Sequence, residues 1–248
     1  MTIADEIAAE LRADGCVAQA QPAAQRATSA HAVHRTLGAV IGPAVDGEVY
    51  QLQQPDSPAY PNVTFQPVGY ERIGPDGLPL IRSDRYELHI RAPELGPLIE
   101  SVDQMRDALI VYRQPGSAIG FDVTDQALDT EYTEKIRRAL MAVEVYSLAT
   151  ESQLIPAAFV YAAGMGASEA RTATVTQTVE HHYHIAIIAP GEQIDTAQRA
   201  VTAALLGFIP SAGDYATGLA LVGGDLLQHY GPLALWRNTY VITEYTSA

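Results

Sequence analysis

Hydrophobic residues change their period along this chain, and each change marks an element. Ile3, Ile7 and Leu11 recur every four positions and predict a short helix over residues 1–14. Residues 15–32 hold Ala, Gln and Thr around Pro22 without a period, which reads as a linker or weak helix. Val33, Leu37, Val40 and Ile41 return to helical spacing and stop at Gly42-Pro43. Alternation then takes over. Residues 45–52 make a short strand, and 60–73 a longer one through Val63, Phe65, Val68 and Tyr70. Pro75-Asp76-Gly77 is a turn, and Tyr86, Leu88 and Ile90 alternate on the returning strand, which Pro93 ends. Leu95, Leu98, Ile99, Val102, Met105, Leu109 and Ile110 then predict an amphipathic helix, closed by Pro115-Gly116 and followed by strands at 119–128 and 138–148.

The second half runs in the same order. Strands are predicted at 155–163 and 175–189, broken by Pro190-Gly191. A helix follows, with Ile194, Ala197, Val201, Ala204 and Leu205 on one face and Gly207 and Pro210 as its stop. Strands at 219–227 and 233–245 finish the chain. Strand–strand–helix–strand–strand thus occurs twice, offset by about 95 positions. Tyr60-Pro61-Asn62-Val63 and Ile155-Pro156-Ala157-Ala158 open the two runs. Either a module is duplicated or one larger mixed sheet has parts that look alike. The reading adopted is α+β: two tandem mixed-sheet modules with helices packed on the sheets, residues 1–42 forming an N-terminal helical segment and linker, 43–150 the first module and 151–248 the second.

Composition narrows the function classes. At 48% hydrophobic and 18% charged residues, the 248-residue chain has the make-up of a folded domain rather than a disordered one. No apolar run approaches the roughly 20 residues of a spanning helix. The start, MTIADEIAAEL, has carboxylates where a signal peptide would be basic, so a protein made in the cytoplasm, with no membrane partner, is expected. The one cysteine, Cys16, excludes an internal disulfide and reads as an unremarkable thiol. A net charge of −14, with Lys135 as the only lysine, repels nucleic acid rather than gripping it. The same charge suits a conduit through which DNA slides without sticking.

Candidate chemistry is sparse. Glu180, His182 and His184 share one face of a strand, and His181 and Tyr183 share the other. Two histidines at that spacing can hold a metal, but the glutamate expected about four residues on is missing; the next is Glu192, beyond Pro190-Gly191. Surface or interface histidines that titrate near neutrality are the plainer reading. There is no phosphate-binding loop, no dinucleotide fingerprint and no nucleophile elbow. No catalytic residue, metal ligand or cofactor site is assigned, and no enzyme activity is expected. Asp122, Asp125, Asp129, Glu131 and Glu134 crowd one strand-to-strand connection. They form either a solvated hairpin tip or an acidic surface that lines a channel or meets a basic partner.

The last stretch carries a recognisable signature. AALLGFIP (residues 203–210) is followed by a polar loop and then GLALVGGDLLQHYGPLALWRNTYVITEY at 218–245. This resembles the closing segment of the tail-terminator family of long-tailed bacteriophages, the minor-tail U-like or tail-completion proteins. There a helix ends in Leu-Gly-Trp-x-Pro, a strand reaches a Gly-Gly or Gly-Arg turn, and an aromatic-rich strand ends the chain. Gly207, Pro210, Gly223, Gly224 and Trp236 match, and Phe208 stands where tryptophan is usual. The strands at 154–164 and 175–189, the latter with Gln177 and Val179, are similar to the family's Leu-Pro-Ala-Val-Phe-Val and Gln-x-Val strands. The resemblance covers residues 151–248 and extends more weakly to the first half. On local grounds Gly207 and Pro210 end a helix, Gly223-Gly224 lets two strands turn, and Trp236 fills a core or an interface.

The resemblance implies a structural protein of the virion at the tail–neck junction, assembled in the host cytoplasm. Such a protein forms a homo-oligomeric ring, expected as a hexamer. It caps the tail tube, stops its polymerisation and offers a docking surface to head-completion and neck proteins, while DNA passes through without specific binding. Six copies of a two-module chain give twelve modules, and three give six. The alternatives are another neck or tail-completion protein, or a metal- or ligand-binding protein using the His181–His184 strand.

Overall fold

The computed structural model describes residues 2–23, 30–112, 119–129, 136–149, 153–167, 176–211, 215 and 217–247. In chain order the elements are α1 (Ile3–Asp14), β1 (Gln19–Pro22), α2 (Ala30–Ile41), β2 (Val49–Gln51), β3 (Asn62–Ile73), β4 (Ile81–Ala92), α3 (Leu95–Ile110), β5 (Gly120–Asp129) and β6 (Arg137–Leu148). Then come β7 (Ala157–Ala167), β8 (Thr176–Pro190), α4 (Ile194–Leu205), β9 (Ala220–Tyr230) and β10 (Leu233–Ser247). The fold is α+β with two mixed sheets. The Pro115-Gly116 stop lies outside the described residues.

Two compact units emerge, and they divide the chain differently from the sequence reading. Gln25–Gln153 form a central unit, while Met1–Ala24 join Leu154–Ala248 in a discontinuous one. The segment 1–42 is therefore not separate from the modules; it is shared between them. The reason lies in β1, in the stretch read as linker or weak helix. Its four residues have little strand propensity of their own. They form a strand because they pair in parallel with β7, Gln19 opposite Ala157 and Pro22 opposite Val160. Pro22 is tolerated there because β1 is an edge strand.

Each unit repeats one topology. The central sheet has the order β2-β3-β4-β6-β5, and the discontinuous sheet β1-β7-β8-β10-β9. In both, the short first strand is parallel to its neighbour and every other pairing is antiparallel. One helix precedes the sheet and one connects its third strand to its edge strand. Irregularities repeat too. The ladder skips Val68 between Pro67 and Gly69, and Ala163 between Ala162 and Gly164. It skips Thr124 opposite Ala142/Val143, and Val222 opposite Thr239/Tyr240. A bulge is set by local side chains and backbone, so two bulges in matching rows are a feature beyond element order. Beside the first bulge both units bury a tyrosine, Tyr86 in β4 and Tyr183 in β8. The Tyr60–Pro61 and Ile155–Pro156 peptide bonds, just before β3 and β7, are both cis.

The cores explain the helix periods. In the central unit Val33, Leu37 and Ile41 of α2 and Leu98, Val102, Met105 and Leu109 of α3 pack on Leu88, Ile90, Met141 and Val143 of the sheet. In the discontinuous unit Ile7 and Leu11 of α1 and Ile194, Ala197, Val201 and Leu205 of α4 pack on Ile185, Ile187 and Tyr240. Burying a side chain of this size contributes about 1.5–3 kcal/mol, and the stripes recur at three and four because that spacing keeps one helix face on the sheet. Helix α1 starts with a capping box, in which the Asp5 N–H donates to Thr2 Oγ1 at 3.2 Å and the Thr2 N–H donates to Asp5 Oδ2 at 2.7 Å. Its buried Glu6 carboxylate accepts from Ser211 Oγ at 3.1 Å, tying α1 to the segment after α4. No helix among the described residues is long and apolar enough to cross a membrane.

Candidate interaction surfaces and motif residues

The motif residues of the closing segment cluster in the discontinuous unit. Gly207 follows α4 with φ 82°, a left-handed backbone that a side chain would disfavour, and its N–H donates to Leu219 O at 2.9 Å. Leu219 N–H donates in turn to Phe208 O at 2.8 Å, so the chain leaving α4 is paired to the start of β9. Phe208 packs at the edge of the core and Pro210 is buried.

Gly223 and Gly224 correct the sequence reading. They do not turn the chain; they lie inside β9, opposite Thr239 and Asn238, and the turn to β10 is at Gly231-Pro232. The physical reason for glycine is close approach. A Cβ at Gly224 would sit 2.6 Å from Asn238 Oδ1 and 3.0 Å from Trp236 Nε1, whereas one at Gly223 would meet nothing within 4 Å. Trp236 Nε1 donates to Asn238 Oδ1 at 2.8 Å. Asn238, fully buried, donates from Nδ2 to Thr202 Oγ1 of α4 at 3.2 Å and to the Tyr240 hydroxyl at 3.4 Å. This network satisfies a buried amide and pins α4 to β10. Asn238 was not singled out from sequence, because one asparagine in an aromatic strand carries no pattern.

Three members of the acidic group lie on a strand rather than in the connection after it. Asp122, Asp125 and Asp129 lie on β5, the edge strand of the central sheet, while Glu131 and Glu134 fall outside the described residues. Asp122 stands directly opposite Glu144. Glu144 is held by Arg85 Nε at 2.9 Å and the Tyr146 hydroxyl at 2.7 Å, and burial followed by that hydrogen bond pushes the Tyr146 pKa up. Asp125 is exposed on the free side of the sheet and accepts from the Gln126 N–H at 2.8 Å.

The histidine strand is β8, in the interior of its sheet, and its residues part as alternation requires. Tyr183 enters the core, and His181 on the same side meets Glu244 Oε2 at 2.8 Å with the Tyr215 ring edge-on at 6.0 Å. His182 faces the other side, 3.7 Å from Glu180, and His184 stacks edge-on to Tyr161 at 5.3 Å. His181 and His182 thus point away from each other. Among the described residues no three His, Cys, Asp or Glu side chains gather as a metal site would need.

A cationic corner was not anticipated. Arg91 of β4 stands opposite Arg138 of β6, and His89 is two residues away on the same face. Burial, and then the charge of Arg91, hold the His89 pKa below its ordinary 6.5, while Glu87, 3.8 Å away, acts in the opposite sense and Arg138 adds to the depression. With the folded value depressed, the unfolded chain takes the proton first, so this contribution to stability is present above pH 6.5 and is lost as pH falls through and below it. Urea midpoints should therefore drop between pH 7.5 and 5.5 by more in the wild type than in His89→Gln; equal drops would refute this contribution.

No protein-family model matches the chain, and no curated protein matches it in sequence.

Proposed function

We propose that the chain is a phage tail terminator, a non-enzymatic protein that closes into a ring, caps the tail tube and presents its other face to neck proteins. The observation that carries this reading is the duplicated sheet module, with two bulges in matching rows, joined to the closing-segment resemblance. Modules of one topology are suited to quasi-equivalent positions around an axis. Sixfold packing then needs three chains, each filling two positions, in place of the six expected from the resemblance alone. Each module ends in a long edge strand, β5 or β9, with one side free for a neighbour in its sheet. The acidic β5 fits a surface that DNA passes without adhering.

The test is tube growth. Added in small amounts to polymerising tube protein from the same phage, the chain should shorten the tubes and leave a collar at one end in electron micrographs. Unchanged length distributions with bare ends would overturn the reading. Reversing Asp122, Asp125 and Asp129 to lysine should slow genome ejection or weaken docking to the tube. If neither changes, the acidic strand has no part in it.

A further inference from the structure

We infer that strand β9 of one copy adds to the free edge of β2 in the next copy, with Leu226 seated in a groove between α2 and β2. The inference rests on the ring reading for its partner, a second copy of this chain. β9 is an edge strand of 11 residues without lysine or proline, the residues that guard exposed edges. It exposes Leu221, Val222 and Leu226. Leu226 stands opposite Trp236 and Leu221 opposite Tyr240, so both leave the helix-covered face of their sheet. A long apolar edge of this kind is a template for another strand.

The receiving edge lies in the central unit. Val63 N–H donates to Glu48 O at 3.0 Å and Leu52 N–H donates to Phe65 O at 2.9 Å. By alternation the backbone groups of Val49 and Gln51 point away from β3, and Val49 O and Gln51 N–H are the pair an added strand would meet. Beside this edge is a groove of about 550 Å³, walled by Gly38, Ala39 and Gly42 of α2 and η-turn start and floored by Val49. It adjoins a hollow of about 450 Å³ where Val49 and Phe65 meet His34 and Arg35. Two glycines and an alanine leave room for a leucine side chain, and exposed Leu52 extends the apolar rim. In each sheet the last strand in the order runs antiparallel to the first, so modules repeated around an axis bring β9 antiparallel to β2. Leu128 of β5 holds the row of Leu226, opposite Ala139, and is exposed too. Charge selects β9 over β5. Asp46 and Glu48 flank β2 and would repel the aspartates of β5, whereas the one acid of β9, Asp225, is held by Arg237 at 3.2 Å.

The test is sedimentation velocity of the full chain, alone and with tube protein. Leu226→Glu blocks the strand and Ala39→Glu, at an exposed position of the groove wall, blocks the groove. Each alone should weaken self-association at least about tenfold with the thermal midpoint of the wild type. Mixed, they should form a 1:1 dimer and stop there, because each chain keeps the half that the other has lost. Val222→Glu, at a fully exposed bulge, replaces Leu226→Glu if that variant folds poorly. Wild-type assembly by either single variant, or a mixture that stays monomeric or grows past the dimer, would overturn this contact and leave the ring reading standing. So would loss of assembly in Leu128→Glu but not in Leu226→Glu, since β5 would then be the occupant. A wild type that stays monomeric at every concentration and with the tube would overturn both.

Discussion

Gly224→Val is expected to destabilise the discontinuous unit by about 3 kcal/mol, the sum of overpacking and the loss of a buried hydrogen bond. A valine Cβ would start 2.6 Å from Asn238 Oδ1. That oxygen is at the end of a side chain, but it has nowhere to go. Asn238 is fully buried and held at once by Trp236, Thr202 and Tyr240. Displacing it strands an amide and loosens α4 from the sheet. Trp236 is the only tryptophan, so its emission reports the site directly in a urea titration. Gly223→Ala, one residue earlier with open space around its Cβ, is the control and should change stability by only about 0.5 kcal/mol. Equal effects at the two glycines would show that the Trp236–Asn238 pair does not dictate this strand.

Gly218→Ala should cost as much, about 3 kcal/mol, by a different route. Its Cβ would fall 2.2 Å from Gly207 O, a backbone atom on the segment that leaves α4. Two main-chain hydrogen bonds fix that approach, Gly207 N–H to Leu219 O and Leu219 N–H to Phe208 O. No rotamer change relieves the clash, so the segment must move. Gly207→Ala meets no atom within 4 Å and carries only the left-handed backbone penalty of about 1–2 kcal/mol. Chemical denaturation should therefore rank Gly218→Ala below Gly207→Ala in stability. The reverse order would mean that the α4–β9 connection adapts freely.

Most elements were legible because their signals are local. The helices α1, α2, α3 and α4 and the long strands all coincide with the spacing of their apolar residues, since burial on one face imposes that spacing. What stayed hidden depends on partners distant in sequence. β1 exists through β7, and its assignment to the second module follows from a pairing across more than half the chain. Gly223-Gly224 read as a turn because glycine pairs usually mark one; the residue that demands glycine, Asn238, is on the neighbouring strand. Three of the acidic residues were assigned to the connection because adjacency in sequence hides that β5 continues to Asp129. The Arg91–Arg138 pair is invisible without the β4–β6 register. The histidines, by contrast, parted as strand alternation predicts, His181 with Tyr183 on one face and His182 with Glu180 on the other.

The proposed role depends on assembly by shape, and native mass spectrometry of the chain, alone and mixed with its tube protein, tests it most directly. The account predicts a closed species of three chains, three times the 26.6 kDa chain mass, formed at or before contact with the tube. Six chains would keep the collar and discard the three-chain count. A chain that stays monomeric at every concentration and ignores the tube would contradict the account.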